Sequence, residues 1–182
     1  MAAEETSLRI KHFLDAAKGM SASEFIERHP SHVMVVVGSV AQTDGEFLTR
    51  AAASIADFAQ MKSALQLDPN ARVFLVEKRP DANPYSKMII IGRAPNCDIS
   101  LPRSEVSKMH AFVTWTDAPE GKTFMIVDGK SRNGTWIANT KLPPNTPRPL
   151  QNGDLIGLGR TVGLHYYNPA GFFSALSKMT GS

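Results

Sequence analysis

The chain has 182 residues, of which 42% are hydrophobic and 20% charged, and its formal net charge is +3. That composition is globular and excludes a largely disordered chain. No apolar run approaches the ~18 residues of a bilayer span, and the single cysteine, Cys97, neither closes an intramolecular disulfide nor builds a zinc site alone. The charge is uneven: residues 1–71 carry 6 Lys+Arg against 9 Asp+Glu, and residues 72–182 carry 14 against 8, so an anionic partner is sought in the second part.

In chain order, Leu8, Ile10, Phe13 and Leu14 recur at near-helical spacing, and Gly19 ends that segment. Ser21 or Ser23 caps a second short helix that stops before Pro30. His32–Val37 reads as a strand, Thr43-Asp44-Gly45 as a turn, and Phe47–Leu67 as a helix with Ile55, Phe58, Met61 and Leu65 on one face. After Asp68-Pro69-Asn70 the texture changes. Short β-type runs at 73–76, 88–91, 111–115, 124–127, 135–137, 154–156 and 162–166 alternate with Gly, Pro, Asn and Asp clusters, the pattern of a β-sandwich or barrel. Met88, Ile90, Val113, Trp115, Met125 and Val127 are assigned to its core. Trp136 belongs either to the core or to the rim of a site. Residues 170–178 form a short amphipathic helix.

Gly92-Arg93, Ser107-Lys108-Met109-His110 and Ser131-Arg132-Asn133-Gly134-Thr135 all border strand candidates and therefore lie in loops. Loops at one end of a sandwich meet in space. Their convergence gathers a guanidinium, a hydroxyl, an ammonium and a carboxamide. A phosphate dianion, with about −1.5 to −2 charge and acceptor oxygens all round, suits the cations and the hydroxyl. An Asn amide donates and accepts at once, so it suits a peptide main chain.

The order Gly-Arg, Ser-x-x-His, Asn-Gly resembles the forkhead-associated (FHA) domain family over residues 72–168. Ile91-Gly92-Arg93-Ala94-Pro95-Asn96-Cys97-Asp98-Ile99 and Leu150-Gln151-Asn152-Gly153-Asp154-Leu155-Ile156 belong to the likeness. The resemblance implies a mainly β, FHA-type sandwich of short antiparallel strands that binds phosphothreonine peptides through its loops. By position, Arg93 and Ser107 bind phosphate oxygens, Lys108 assists, Asn133 holds the peptide main chain and Arg132 adds charge. Gly92, His110 and Gly134 support the site structurally. In some relatives a basic residue two places before the motif serine favours an acidic ligand residue; here that place holds Glu105, which argues against the same preference.

The implied organisation is a bacterial-type, cytoplasmic adaptor. It has an α/β N-terminal extension (1–70), an FHA domain (71–168) and a C-terminal tail with a short helix (169–182). The extension either packs on the sandwich or binds a second protein. The expected partners are a phosphothreonine-containing protein and an upstream Ser/Thr kinase. No catalytic residue, metal, cofactor or membrane contact is expected. Ser107 and His110 do not read as a catalytic pair, since no Gly-x-Ser-x-Gly elbow or orienting acid accompanies them. Two other readings stand beside this one: a phosphorylation-independent docking scaffold on the same fold, and a nucleic-acid binder. The second lacks aromatics interleaved with Lys and Arg.

Overall fold

The computed structural model describes residues 8–37, 67–119, 121–159 and 162–181. Two helices come first, α1 (Ile10–Lys18) and α2 (Ala22–Arg28). The strands are β1 (Val33–Val37), β2 (Val73–Leu75), β3 (Ile89–Gly92), β4 (Ile99–Ser100), β5 (Ala111–Ala118), β6 (Gly121–Asp128), β7 (Thr135–Ile137), β8 (Thr140–Lys141), β9 (Arg148–Pro149), β10 (Leu155–Leu158) and β11 (Val162–Tyr167), followed by helix α3 (Pro169–Thr180). The expected turn at Thr43-Asp44-Gly45 and helix residues 47–66 lie outside the described residues.

A six-stranded sheet runs β2-β1-β11-β10-β7-β8, and a five-stranded sheet runs β4-β3-β5-β6-β9. The strands pair antiparallel except for β3 with β4. The result is a mainly β sandwich, with helices before it and a short helix after it. β1 comes from the segment that the sequence groups with the extension, yet it sits inside the six-stranded sheet. Val35 lies between Val73 of β2 and His165 of β11.

The sandwich core is closed by Ile89, Ile91, Val113, Phe124 and Ile126 from one sheet and Met34, Ile156, Leu158 and Leu164 from the other. Ile89, Val113 and Ile126 form one cross-strand row. Of the residues assigned to the core, Ile90, Val113 and Val127 are buried, divided between this row and the opposite face. Met88 and Met125 are half-buried, and Ile90 and Val127, though buried, lie in register with Phe112 on the opposite face. The uninterrupted apolar runs 88–91 and 124–127 carry no alternation, so their inward side is decided by pairing with β5.

A second apolar layer covers the outer face of the six-stranded sheet. Ile10, Phe13, Phe25, Phe172 and Leu176 from the three helices pack with Val33, Val35, Val37 and Val73. Two of the helices begin on a side-chain cap. Ser21 and Glu24 form a reciprocal capping box on α2, and the Asn168 side chain accepts from Gly171 N–H at 2.7 Å ahead of Pro169 on α3. The Phe13 and Phe172 rings meet edge-on, 5.2 Å between centroids.

Candidate functional site

β3 ends, β5 begins, β6 ends and β7 begins at one pole of the sandwich, so the loops 93–98, 101–110 and 129–134 emerge together there. Their spacing is set first by Gly92. A Cβ on that residue would lie 2.3 Å from the Lys108 carbonyl oxygen, so only glycine lets the two strands of chain approach this closely. Across this contact Arg93 N–H donates to Ser107 O at 2.9 Å and Ala94 N–H to Lys108 O at 3.1 Å. The buried Cys97 thiol also donates to Lys108 O, at 3.1 Å.

His110 ties two loops to each other. Its Nδ1 accepts from the Ser107 N–H at 3.1 Å, which fixes the tautomer so that Nε2 donates to the Gly134 carbonyl, also at 3.1 Å. The imidazole is fully buried. Burial lowers its pKa below the ordinary value, against the opposing pull of the Gly134 bond and of Asp128 nearby. Both ring nitrogens are thus bonded to backbone, and neither is bonded to the Ser107 hydroxyl.

Asp128, at the end of β6, organises the third loop from within. Its carboxylate is buried and accepts from Thr135 Oγ1 and Ser131 Oγ at 2.6 Å each, and from Ser131 N–H at 3.2 Å. Burial alone would raise its pKa; the bonds from Ser131 and Thr135, with His110 alongside, outweigh that and hold it below the usual carboxylate value. Asp98 plays the same part under the first loop. It accepts from Ile90 N–H at 2.7 Å, Arg79 N–H at 2.9 Å and Lys78 Nζ at 3.0 Å. Here too the hydrogen bonds outweigh a burial effect of opposite sign, and the pKa is lowered. Neither aspartate is singled out by the sequence reading, although Asp128 followed at the third position by Ser131 is the pattern of a side chain bonding its own turn.

On this frame the exposed polar groups meet. Arg93 is held by one edge, Nε donating to Val106 O at 3.1 Å, and its two terminal amino groups make no hydrogen bond among the described residues. The Ser107 hydroxyl accepts from the Arg132 N–H at 3.0 Å, so its own hydrogen is directed elsewhere. Asn133 donates through Nδ2 to Glu105 O at 2.7 Å, which pins the carboxamide while leaving Oδ1 and a second N–H. These bonds bring Arg93, Ser107, Arg132 and Asn133 onto one surface. Lys108 adjoins Ser107; its backbone carbonyl turns inward over Gly92, and its ammonium is exposed. Gly134 has φ +80, the left-handed conformation that glycine tolerates. Trp136, half-buried, donates its indole N–H to Asn133 O at 3.4 Å and carries Lys141 over its ring, so it stands at the rim. The nearby carboxylate, Glu105, forms no ion pair with any of these cations.

Chemically, the surface offers charge-assisted donors and a hydroxyl beside a carboxamide. That set is chemically suited to an oxyanion attached to a polar main chain. Among the described residues no three His, Cys, Asp or Glu side chains gather to hold a metal ion, and no helix is long and apolar enough to cross a membrane.

The family model of the FHA domain matches residues 89–159, which contain all three loops. A chloroplastic zeaxanthin epoxidase of Prunus armeniaca is 33% identical over 102 residues, 50% of this chain and 14% of that protein. A probable serine/threonine-protein kinase of Dictyostelium discoideum is 36% identical over 78 residues, 41% of this chain and 13% of the kinase. The chain thus spans about one seventh of these curated relatives. Full-length yeast Pml1p shares the fold with a TM-score of 0.51 at 15% identity, covering 92% of this chain and 99% of that one.

Proposed function

We propose that this pole of the sandwich binds a phosphothreonine-containing segment of a partner protein, and that the protein acts as an adaptor reading the product of a Ser/Thr kinase. In this reading the terminal amino groups of Arg93 and the Ser107 hydroxyl take phosphate oxygens. Lys108 and Arg132 add positive charge, and Asn133 bonds the peptide main chain. Gly92, His110 and Gly134 keep the three loops in register. The observation that carries the proposal is the state of Ser107: with its oxygen already accepting from Arg132 N–H, its hydrogen is left to donate to an anion beside Arg93. A phosphate also meets little competition, because the Glu105 carbonyl rather than its carboxylate is drawn into the cluster.

The chemistry of this reading is reversible binding; the His110 nitrogens are both engaged with backbone, so His110 is not placed to activate Ser107. A reducing, cytoplasmic setting and a bacterial-type adaptor belong to this proposal; the two curated relatives named above are eukaryotic. The direct test is an oriented phosphothreonine peptide library screened beside its unphosphorylated counterpart. The adaptor reading predicts capture of phosphorylated peptides alone. Equal capture of both sets would instead favour a phosphorylation-independent docking scaffold.

A further inference from the structure

β10 borders the site from the six-stranded sheet. It pairs with β7 as Ile156 with Ile137, Gly157 with Trp136 and Leu158 with Thr135. One residue further on, the Gly159 N–H donates to Gly134 O at 2.8 Å. That carbonyl also accepts from His110 Nε2 at 3.1 Å. A carbonyl oxygen has two lone pairs, and here one serves the loop of Ser107 and the other the end of β10. Asn133, the residue before Gly134, is thereby tied to both.

Gly159 is buried, with φ +66. A Cβ there would lie 3.2 Å from Asn133 Cβ, 3.5 Å from Glu105 O and 3.8 Å from Asn133 Nδ2. Carbon atoms pack at about 3.5–4.0 Å, so the first of these contacts displaces Asn133. The other two atoms are the acceptor and the donor of the bond that pins the carboxamide, Nδ2 to Glu105 O at 2.7 Å. The bare backbone of Gly159 is the floor on which that bond rests. The phosphate side of the surface is built on different contacts: Arg93 Nε donates to Val106 O, and Ser107 Oγ accepts from Arg132 N–H.

We infer that Gly159 is a positioning residue for Asn133. By leaving its own Cβ position empty it sets where the carboxamide lies, and so whether Oδ1 and the second N–H reach a peptide main chain. The inference rests on the phosphopeptide reading and deepens its peptide-holding half. Two functions share one surface: anion capture by Arg93 and Ser107, and main-chain capture by Asn133. The second has a support that none of the three loops contains.

The test uses the full chain and two probes, a phosphothreonine peptide followed by fluorescence anisotropy and inorganic phosphate followed by backbone amide resonances. Gly159→Asn is the informative variant, because asparagine tolerates the left-handed backbone while its Cβ still meets Asn133. It should bind the peptide about tenfold more weakly, the scale of one lost hydrogen bond, and inorganic phosphate within about twofold of wild type. In an Asn133→Ala background the same substitution should cost the peptide little more, since the carboxamide it displaces is gone. A second measurement needs no substitution: in wild type the Gly159 amide resonance should move with the peptide and stay in place with inorganic phosphate. Equal weakening of both probes, full peptide affinity in Gly159→Asn, an undiminished cost in the Asn133→Ala background, or a Gly159 resonance indifferent to the peptide would overturn the inference. Failure of the phosphopeptide reading looks different: wild type would then bind the peptide equally with and without its phosphate.

Discussion

The loop pole and the helix-covered face of the six-stranded sheet are ordered by opposite means. At the loop pole the fixed points are buried polar groups: His110 bridging Ser107 and Gly134, Asp128 gathering Ser131 and Thr135, Asp98 gathering Ile90, Arg79 and Lys78. On the helical side the apolar layer is built from aromatic and aliphatic side chains such as Phe13, Phe25 and Phe172, with hydrogen bonds at the helix caps and along the segment joining α1 to β2. Apolar packing is non-directional and tolerates small shifts; a hydrogen-bonded frame specifies where each donor points. A site that must hold Arg93 and Ser107 on one anion, with Asn133 on the peptide beside it, needs the second kind of order. The first kind supplies stability without directing any donor at a ligand.

Substitutions in the two regions should therefore separate stability from binding. The largest effect is expected at Phe172, which is 1% exposed. Phe172→Ala should cost about 3–5 kcal/mol of stability in urea unfolding, while the protein that remains folded binds a phosphothreonine peptide as wild type does. Arg93→Ala is its mirror image: about 2–5 kcal/mol lost from peptide binding, with stability within about 0.5 kcal/mol of wild type. Asp128→Ala tests whether the frame itself joins the two properties. Leaving its buried donors without an acceptor should cost about 1–3 kcal/mol of stability and weaken peptide binding too; a loss of stability with unchanged affinity would separate Asp128 from the site.

The smallest effect is a pH slope. The folded-state pKa of His110 is lowered by burial, so its contribution is complete above the unfolded value of 6.5 and is lost as pH falls through the folded value. His32 is lowered by burial as well and adds to the same slope. Thermal melts of wild type should decline as pH drops below 6.5, and His110→Asn should decline less steeply over that window. Measuring stability without peptide keeps the phosphate's own titration near pH ~6 out of the comparison.

The same contrast explains what the amino-acid order discloses. Arg93, Ser107 and Asn133 stand beside glycines and strand ends in the chain itself, so their assignment to loops is legible from local pattern. The helices at 10–18 and 22–28 are legible for the same reason, through apolar spacing and the Ser21–Glu24 box. What is not legible is nonlocal. Nothing near Val33–Val37 says that it will lie between β2 and β11, and the two-residue strands β4, β8 and β9 are too short to show any period. The inward face of Ile89–Gly92 is decided by Val113, more than twenty residues away. Asp128 and Asp98 are hidden for a related reason: an aspartate at a strand end has the same letter whether it is solvated or serves several buried donors.

The central claim is that a phosphate is gripped where Arg93, Ser107, Arg132 and Asn133 meet. It is tested most directly by following backbone amide resonances of the full chain during titration with a phosphothreonine peptide and with its unphosphorylated twin. The expected result is phosphate-dependent shifts in the loops 93–98, 101–110 and 129–134, with the α1 and α3 amides unmoved. Shifts that appear equally with the unphosphorylated peptide, or that centre away from those loops, would contradict it.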